Sequence, residues 1–476
     1  MKLSQLLSAI GAHCPQDAEI TAITCDSRTV TPGALFVALE GSNTDGRSYT
    51  GDALKRGAAA VVCRPPLPLP APNAVAVDDP RAALALLAAE FYGHPANEMT
   101  LIAITGTKGK TTTAHMLRDI FTANGFKTGM IGTLGAFLGS ECIAGPANTT
   151  PEPTALHHLL RQMADGGCSH VVMEISSQAM KLRRTAGIVF DAALFLNLTP
   201  DHIGGAEHAD FAEYRACKAA LFRQCRLAVG NLDDPNWPVM AEQVPNGVPI
   251  VTFGFQSGAD VQGTDLTPAG GLSTRLTAGE TTYTLSMPGA FNAANALAAI
   301  SLCRTLGVEE NTIQAGLAGV HVPGRSQLWP NHRGVSVLID YAHNGDSFRA
   351  LLSELASYEH RRLIVVFGAG GDRPRLRRRD MAHAAAQWAD FAVITADNPR
   401  TEPLETICAD IASALEDKIP HKIIPDRREA IFYALDLAQP GDIVALLGKG
   451  HEEYIEVNGV KHPFSERAVL EEYFQK

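Results

Sequence analysis

Residues 104–117 read ITGTKGKTTTAHML: the end of an apolar run, a turn of glycine, threonine and lysine, then the start of a helical pattern. A strand that turns through glycines directly into a helix presents unpaired backbone N–H groups at the helix start, where they suit phosphate oxygens. The usual phosphate-loop pattern is G-x-x-x-x-G-K-[ST]. Here Ile104 occupies its first glycine position, and the shorter T-G-T-K-G-K-T remains, with Gly106, Gly109, Lys110 and Thr111. The physics survives the shortening. Backbone N–H groups cradle the oxygens, Lys110 at the helix start is better placed than Lys108 to reach terminal phosphates, and Thr111 offers Mg²⁺ a hydroxyl. The plain alternative is a glycine-rich turn with a stray lysine. The strand before and the helix after supply the context a phosphate loop requires.

Outward from this loop the chain alternates apolar runs with helical segments. LIAIT, HVVMEI, AALFLNL and LAVGN are strand-like, and TAHMLRDIFTANG and NAANALAAISLCRTLG are helical. That alternation predicts a mostly parallel sheet covered by helices. The style repeats in VLIDYAH, LIVVFGAGG, FAVITADN and DIVALLGKG, each run ending in glycine or polar residues. Those residues fall at the carboxyl ends of strands, where open α/β sheets bind ligands. Before the loop, ALFVALEG and AAAVVC read as strands and DPRAALALLAAEFYG as a helix, with RPPLPLPAP as a surface loop. The expected fold class is therefore α/β with three domains. Residues 1–97 form a smaller N-terminal α/β domain, 98–326 a central domain of phosphate-loop type, and 327–476 a Rossmann-like C-terminal domain.

Composition narrows the function. The 476 residues exceed what one core accommodates. Forty Lys and Arg against 51 Asp and Glu give a net charge of −11, which excludes a general attraction for nucleic acid or an anionic membrane. Nine scattered cysteines without a C-x-x-C pair argue against a disulfide framework or zinc knuckle and fit a reducing cytoplasm. MKLSQLLSAIGAHC reads as an amphipathic helix, not a signal peptide, and no apolar run approaches the roughly 18 residues of a membrane span.

Downstream residues decide what the phosphate loop serves. Glu174 ends an apolar strand, the expected place for a Mg²⁺ carboxylate beside a phosphate loop; the alternative is a strand-end Glu facing solvent or a lysine. NLTPDHIGG places Asp201 and His202 just after another strand, although a lone histidine is more often a packing residue. Lys218, in YRACKAALF, reads on its own as a solvated helix lysine.

In this order and spacing, TGTKGKTTT, NTTPE, MEISSQ, NLTPDHI and YRACKAALF resemble the Mur ligases, ATP-dependent enzymes that build the peptide of peptidoglycan. The resemblance covers nearly the whole chain. It implies that Gly106, Thr107, Lys108, Gly109, Lys110, Thr111 and Thr112 hold ATP. It further implies that Lys218 is carbamylated and holds Mg²⁺ with Thr111, Glu174 and His202, so that Lys110, Glu174, His202 and Lys218 form the catalytic set. MPGAFNAANALAA, PGR and DYAH resemble nucleotide-contacting segments, which assigns Asn292, Arg325 and Asp340 to ATP.

The N-terminal CDSRTVTPGALFVALEGSNTDGRSY resembles the uridine-nucleotide domain of the MurE-type branch, which adds the third residue to UDP-N-acetylmuramoyl-L-alanyl-D-glutamate. Ser27, Arg28, Asn148, Thr149, Thr150, Ser176 and Arg184 match positions that hold this precursor, although NTT also reads as a helix cap before Pro151. In FGAGGDRPRLRRRDM, TADNPRTEP and LLGKGHEEY, residues Arg373, Asp397, Asn398, Arg400, Gly448 and Glu452 match the pocket for the incoming amino acid. The arginine run itself reads as a solvated loop. DNPR is the form associated with meso-diaminopimelate, whose distal carboxylate an arginine pairs with; L-lysine is the alternative substrate. The family mechanism implied is phosphorylation of the glutamate carboxylate by ATP, then attack by the amine, in a monomer binding small molecules and no nucleic acid. A folylpolyglutamate-synthetase-like ligase and a non-ligase P-loop ATPase remain as other readings.

Overall fold

The structure, a computed structural model, describes residues 1–14, 16–41, 44–66, 74–201, 203–204, 207–416 and 418–475. The chain forms two compact units: Met1–Gln262 with Leu297–Gly316, and Gly263–Ala296 with Leu317–Lys476.

The first unit opens with a four-stranded parallel sheet of β1 (Ala22–Thr24), β2 (Ala34–Val37), β3 (Ala60–Cys63) and β4 (Ala74–Ala76), in that order. Alternate residues of β2 and β3 enter two separate clusters. Leu35, Val37, Ala60 and Val62 pack with the helix Pro80–Phe91 and with Leu3, Leu6 and Leu7 of the helix Leu3–Ser8. Ala34, Phe36, Val61 and Cys63 pack on the other side. The amphipathic reading of the first residues holds. The proline-rich segment read as a surface loop lies largely outside the described residues.

The larger sheet of this unit contains β5 (Thr100–Thr105), β6 (Thr128–Gly132), β7 (Gly135–Leu138), β8 (Glu141–Ala144), β9 (His170–Glu174), β10 (Ala192–Phe195), β11 (Ala228–Asn231) and β12 (Ile250–Gly254). The order is β12-β11-β10-β5-β9-β6-β7-β8, parallel from β12 to β6 and antiparallel beyond. β9 and β6 lie to one side of β5 and β10 to the other, so β5 sits at the switch point where such sheets bind ligands. Register sets Ile104 opposite Glu174 and Thr105 opposite Phe195, which brings the turns after β5, β9 and β10 to one edge. Both faces are covered: Leu101, Ala103, Val171 and Met173 join one cluster, and Ile102, Ile104 and Val172 on the opposite face are also buried.

β13 (Val261–Ala269) begins in the first unit, where Val261 and Gln262 pair with β12, and from Gly263 it forms with β14 (Ser273–Ala278) and β15 (Thr281–Leu285) the antiparallel meander of the second unit. Its main sheet has β16 (Gln327–Trp329), β17 (Ser336–Asp340), β18 (Leu363–Phe367), β19 (Phe391–Ile394), β20 (His421–Ile423) and β21 (Ile443–Leu447), in the order β16-β17-β21-β18-β19-β20. All but β16 are parallel. Val365 and Phe367 pack on one face and Ile364 and Val366 on the other, as expected of a parallel sheet buried on both sides. Asp340, Leu447 and Phe367 lie level, so the turns that follow them share one edge. A hairpin of β22 (Tyr454–Val457) and β23 (Val460–Pro463) follows.

The arginine run departs from its reading as a solvated loop. Residues Arg375–Trp388 are helical, and Arg378 is 1% exposed, paired with Glu402 and Asp410. The partners lie more than twenty residues away in sequence. No helix among the described residues is long and apolar enough to cross a membrane.

Candidate active site

At the end of β5 the chain turns through Gly106 to Gly109, whose φ of +87° suits a residue without Cβ, and the helix Lys110–Ala123 begins. Asn197, after β10, clamps this turn: its Oδ1 accepts from Lys108 N–H at 2.9 Å and its Nδ2 donates to Lys108 O at 3.1 Å. Thr107 adds a hydroxyl contact with Tyr214 at 3.0 Å. Lys110 Nζ folds back to the carbonyls of Gly106 (2.7 Å) and Thr107 (3.1 Å), while Lys108 is exposed. Thr111 and Thr112 are buried in the first helical turn.

Lys218 is not a solvated lysine. It is 2% exposed, donates to Gly106 O at 2.8 Å and lies 4.8 Å from the Tyr214 ring centroid. Burial, then the nearby charge of Lys110, push its amine well below the ordinary lysine value, against the pull of Asp201. Two lysines thus converge on one carbonyl of the phosphate loop.

Glu174, 1% exposed, accepts from the Thr111 hydroxyl at 2.9 Å, the Thr133 hydroxyl at 3.0 Å and the Thr133 N–H at 3.0 Å. Thr133 also contacts the Thr149 hydroxyl at 3.1 Å. The carboxylate therefore ties the phosphate loop to the NTT segment. Within that segment Thr150 is no helix cap. Its hydroxyl donates to Glu174 O at 2.8 Å and accepts from Ser176 N–H at 3.0 Å, while the helix that follows starts at Pro153 after Glu152. Arg184 donates to Thr150 O at 2.8 Å and pairs with Glu152. Ser176 caps the helix Ser177–Lys181, and Asn148 is exposed.

Ser27 and Arg28 sit on a short helical turn after β1, where the Arg28 guanidinium donates to Asp26 through Nε (2.9 and 3.2 Å) and Nη2 (2.8 Å). This turn is a separate element from the cluster around Glu174. His202 lies outside the described residues. Among those described, no group of three His, Cys, Asp or Glu side chains is placed to hold a metal. The neighbouring oxygens of Thr111 and Glu174 are nonetheless the hard donors that Mg²⁺ takes.

In the second unit Asn292 is 1% exposed and donates to Pro288 O (2.7 Å) and Ser326 Oγ (3.3 Å). Asp340, ending β17, accepts from Ser326 N–H at 2.6 Å and Ala342 N–H at 2.7 Å; burial pushes its carboxyl up, with Arg325 opposing. Arg325 stacks 4.4 Å from the centroid of Tyr341. Asn292, Arg325 and Asp340 are thus joined through Ser326.

The turns after β18, β19 and β21 meet at one edge of this unit's main sheet. Arg400 donates to Gly371 O at 2.7 Å and approaches Glu456 at 3.5 Å. A Cβ on Gly371 would lie 1.9 Å from Pro399 O, so the glycine run lets the two turns touch. Gly448, with φ of +109°, has Asp397 Oδ2 3.1 Å from where a Cβ would stand. Asn398 donates to Glu452 Oε2 at 2.8 Å. Arg373 is exposed beside these turns. Burial raises the Glu452 carboxyl, but the charge and hydrogen bond of Lys449, with that of Asn398, bring it below the usual range.

Asn197, Thr133, Tyr341 and Lys449 belong to these clusters but are not among the candidates read from the sequence. Asn197 and Lys449 do lie inside quoted stretches, NLTPDHI and LLGKGHEEY, at the strand ends that pointed to the other residues.

A glycine turn leading into a helix at the switch point of one mostly parallel sheet, and glycine-bearing turns at the strand ends of a second, define an α/β protein built on two such sheets. Three family models match it: "Mur ligase family, catalytic domain" over residues 19–92, "Mur ligase middle domain" over 104–303 and "Mur ligase, glutamate ligase domain" over 324–450. A relative from Geobacillus kaustophilus (strain HTA426), named UDP-N-acetylmuramoyl-L-alanyl-D-glutamate--2,6-diaminopimelate ligase, is 39% identical over 98% of each chain. The chain belongs to the Mur ligase family. A solved structure of an enzyme of the same name as that relative aligns with a TM-score of 0.74 and 29% identity, covering 100% of this chain and 99% of the other. The MurF ligase of Thermotoga maritima, solved in complex with ADP, shares the fold at a TM-score of 0.61 and 21% identity, over 95% of this chain and 97% of its own.

Proposed function

We propose that this protein is an ATP-dependent ligase that joins meso-2,6-diaminopimelate to the glutamate of UDP-N-acetylmuramoyl-L-alanyl-D-glutamate, a step of peptidoglycan synthesis. The observation that carries this reading is the likeness over 98% of each chain to a relative bearing that name. The DNPR turn after β19, with its Arg400, supports the choice of amino acid. The full-length match, including the N-terminal model over residues 19–92, speaks against the folylpolyglutamate-synthetase-like and plain ATPase readings.

In this reading residues 106–112 hold the phosphates of ATP, Lys110 leaves the Gly106 carbonyl for the terminal phosphates, and Asn292, Arg325 and Asp340 contact the nucleoside. A side-chain oxygen of the precursor glutamate attacks the γ-phosphorus and ADP leaves. The amine of diaminopimelate then attacks the acyl carbon, phosphate departs, and the nitrogen gives up a proton. Carboxylate is a poor electrophile, and phosphorylation gives it a leaving group. Thr111, Glu174, His202 and Lys218 as its carbamate would hold Mg²⁺. When bound, the ion supplies neutralisation of phosphate charge. Burial lowers the pKa of the Lys218 amine and so favours the neutral form that adds CO₂, which supports the carbamate. Thr149, Thr150, Ser176 and Arg184 shape the precursor's loop, with Asn148 beside them and Ser27 and Arg28 toward the uridine end. Arg373, Asp397, Asn398, Arg400, Gly448 and Glu452 receive the amino acid. Residues 1–97, 98–326 and 327–476 act as precursor, ATP and amino-acid domains of a cytoplasmic monomer serving cell-wall growth and division.

The test is ADP release and tripeptide formation with the UDP-dipeptide, Mg²⁺ and ATP, with meso-diaminopimelate or L-lysine added in parallel. Release with diaminopimelate alone is expected. Release with lysine alone would keep the ligase and overturn the amino-acid assignment. ADP formation indifferent to both amines would overturn the ligase reading.

A further inference from the structure

Lys449 is a buried cation among the groups assigned to the amino acid. Its side chain is 0% exposed, yet its Nζ donates to Asn398 Oδ1 at 2.9 Å and to Glu452 Oε2 at 2.9 Å and stands 3.5 Å from Asp397 Oδ1. The Tyr454 ring lies 5.1 Å away on another side. Asn398 Oδ1 takes a second bond from Glu456 N–H at 2.9 Å, which fixes the amide oxygen toward the lysine and sends Nδ2 to Glu452 at 2.8 Å. One ammonium thus orients three side chains from two turns.

The charge balance has a consequence. Lys449 sets one cation against both carboxylates, 2.9 Å from Glu452 and 3.5 Å from Asp397, and, against burial, its charge and hydrogen bond help hold the Glu452 carboxyl below its usual range. The neighbouring pair Arg427–Glu466 cancels itself. Both its side chains are 0% exposed, and Arg427 also holds the backbone carbonyls of Ala396 and Leu447 at 2.8 Å each.

We propose that Lys449 is a positioning residue for the incoming amino acid: it locks Asp397, Asn398 and Glu452 into one arrangement. This rests on the reading of the pocket given under Proposed function. Lys449 touches no reacting atom in it and acts through the three side chains it holds.

The experiment measures ADP release by the full chain for Lys449→Met, Lys449→Gln and Lys449→Arg, varying meso-diaminopimelate, ATP and UDP-dipeptide in turn. Loss of the charge-assisted bonds is expected to raise KM for diaminopimelate at least about tenfold in the Met and Gln variants. KM for ATP should stay within about twofold, and Lys449→Arg should recover part of the loss. An unchanged KM for diaminopimelate, or an equal rise in all three KM values, would overturn the proposal. If Lys449→Met does not fold, the Gln and Arg variants carry the comparison. Absence of diaminopimelate-dependent ADP release in the unaltered protein would instead remove the reading on which the proposal rests, a result seen before any variant is compared.

Discussion

A carboxylate that is 1% exposed needs donors, and Glu174 has them from Thr111 and Thr133. The space it occupies exists because residue 132 is glycine. A Cβ there would lie 2.1 Å from Glu174 Oε1 and 2.7 Å from its Cδ. Gly132→Ala is expected to turn Glu174 away from Thr111 and lower kcat by about 100-fold, the cost of an ångström-scale misplacement. Gly145→Ala, which meets nothing within 4 Å, should leave kcat unchanged. Steady-state ADP release compares the two, and equal rates would show that Glu174 does not set the geometry. Lys218 gives a second prediction at this scale. Lys218→Ala removes the buried amine at Gly106 and should abolish activity, and on the proposed carbamate reading millimolar acetate should recover part of it by supplying the missing oxygens. Undiminished activity without added acetate or bicarbonate would eliminate the carbamate.

Elements were legible where burial on both faces leaves unbroken apolar runs. β9, β10, β18, β19 and β21 fall within the quoted stretches HVVMEI, AALFLNL, LIVVFGAGG, FAVITADN and DIVALLGKG, and β5 adds only Thr100 to LIAIT. A strand end singled out Glu174 for the same reason, whereas Asp397 and Gly448 were assigned through the family resemblance. The meander β13–β15 and the hairpin β7–β8 were not read, because strands such as β8 and β13 are mostly exposed or half-buried, β8 has only four residues, and β13 is rich in polar ones. Lys449 went unread because a lysine in sequence does not announce partners that the fold brings to it from Asn398 and Asp397. The arginine run failed likewise: Arg378 is helical and buried because Glu402 and Asp410 arrive from a later turn and helix. Its removal tests this element. Arg378→Met leaves two carboxylates without their cation. It should destabilise the protein by about 2–3 kcal/mol, below the 3–5 kcal/mol of a fully enclosed pair because both partners keep some solvent contact. Arg375→Ala, an exposed neighbour, should change stability little. Denaturant midpoints measure both, and equal shifts would refute the role of the buried pair.

At the scale of the whole molecule, both units hold histidines that burial keeps neutral, which makes stability depend on pH well above the carboxylate range. His157, in the helix Pro153–Asp165, is 1% exposed, neither ring nitrogen has a hydrogen-bond partner, and burial, then the charge of His94, lower its pKa to about 4. His451 is likewise lowered to about 4, by burial and then by Arg325. The unfolded chain binds these protons near 6.5, and the folded chain does so only near 4. Each histidine's contribution is therefore complete above pH 6.5 and is lost as pH falls from there to about 4. Asp340 and Glu466, whose carboxyls burial raises, act in the opposite sense, so total acid lability does not isolate the histidines. A variant does. His157→Leu cannot take up the proton in either state. Relative to the unaltered protein it should gain about 2 kcal/mol between pH 7.5 and pH 5. That is a relative rise in Tm of about 2–4 °C for the unit that contains it. Calorimetry at the two pH values decides the matter. The same Tm difference at both would mean that the imidazole of residue 157 is protonated equally in the folded and unfolded chain, and that its burial does not govern its charge.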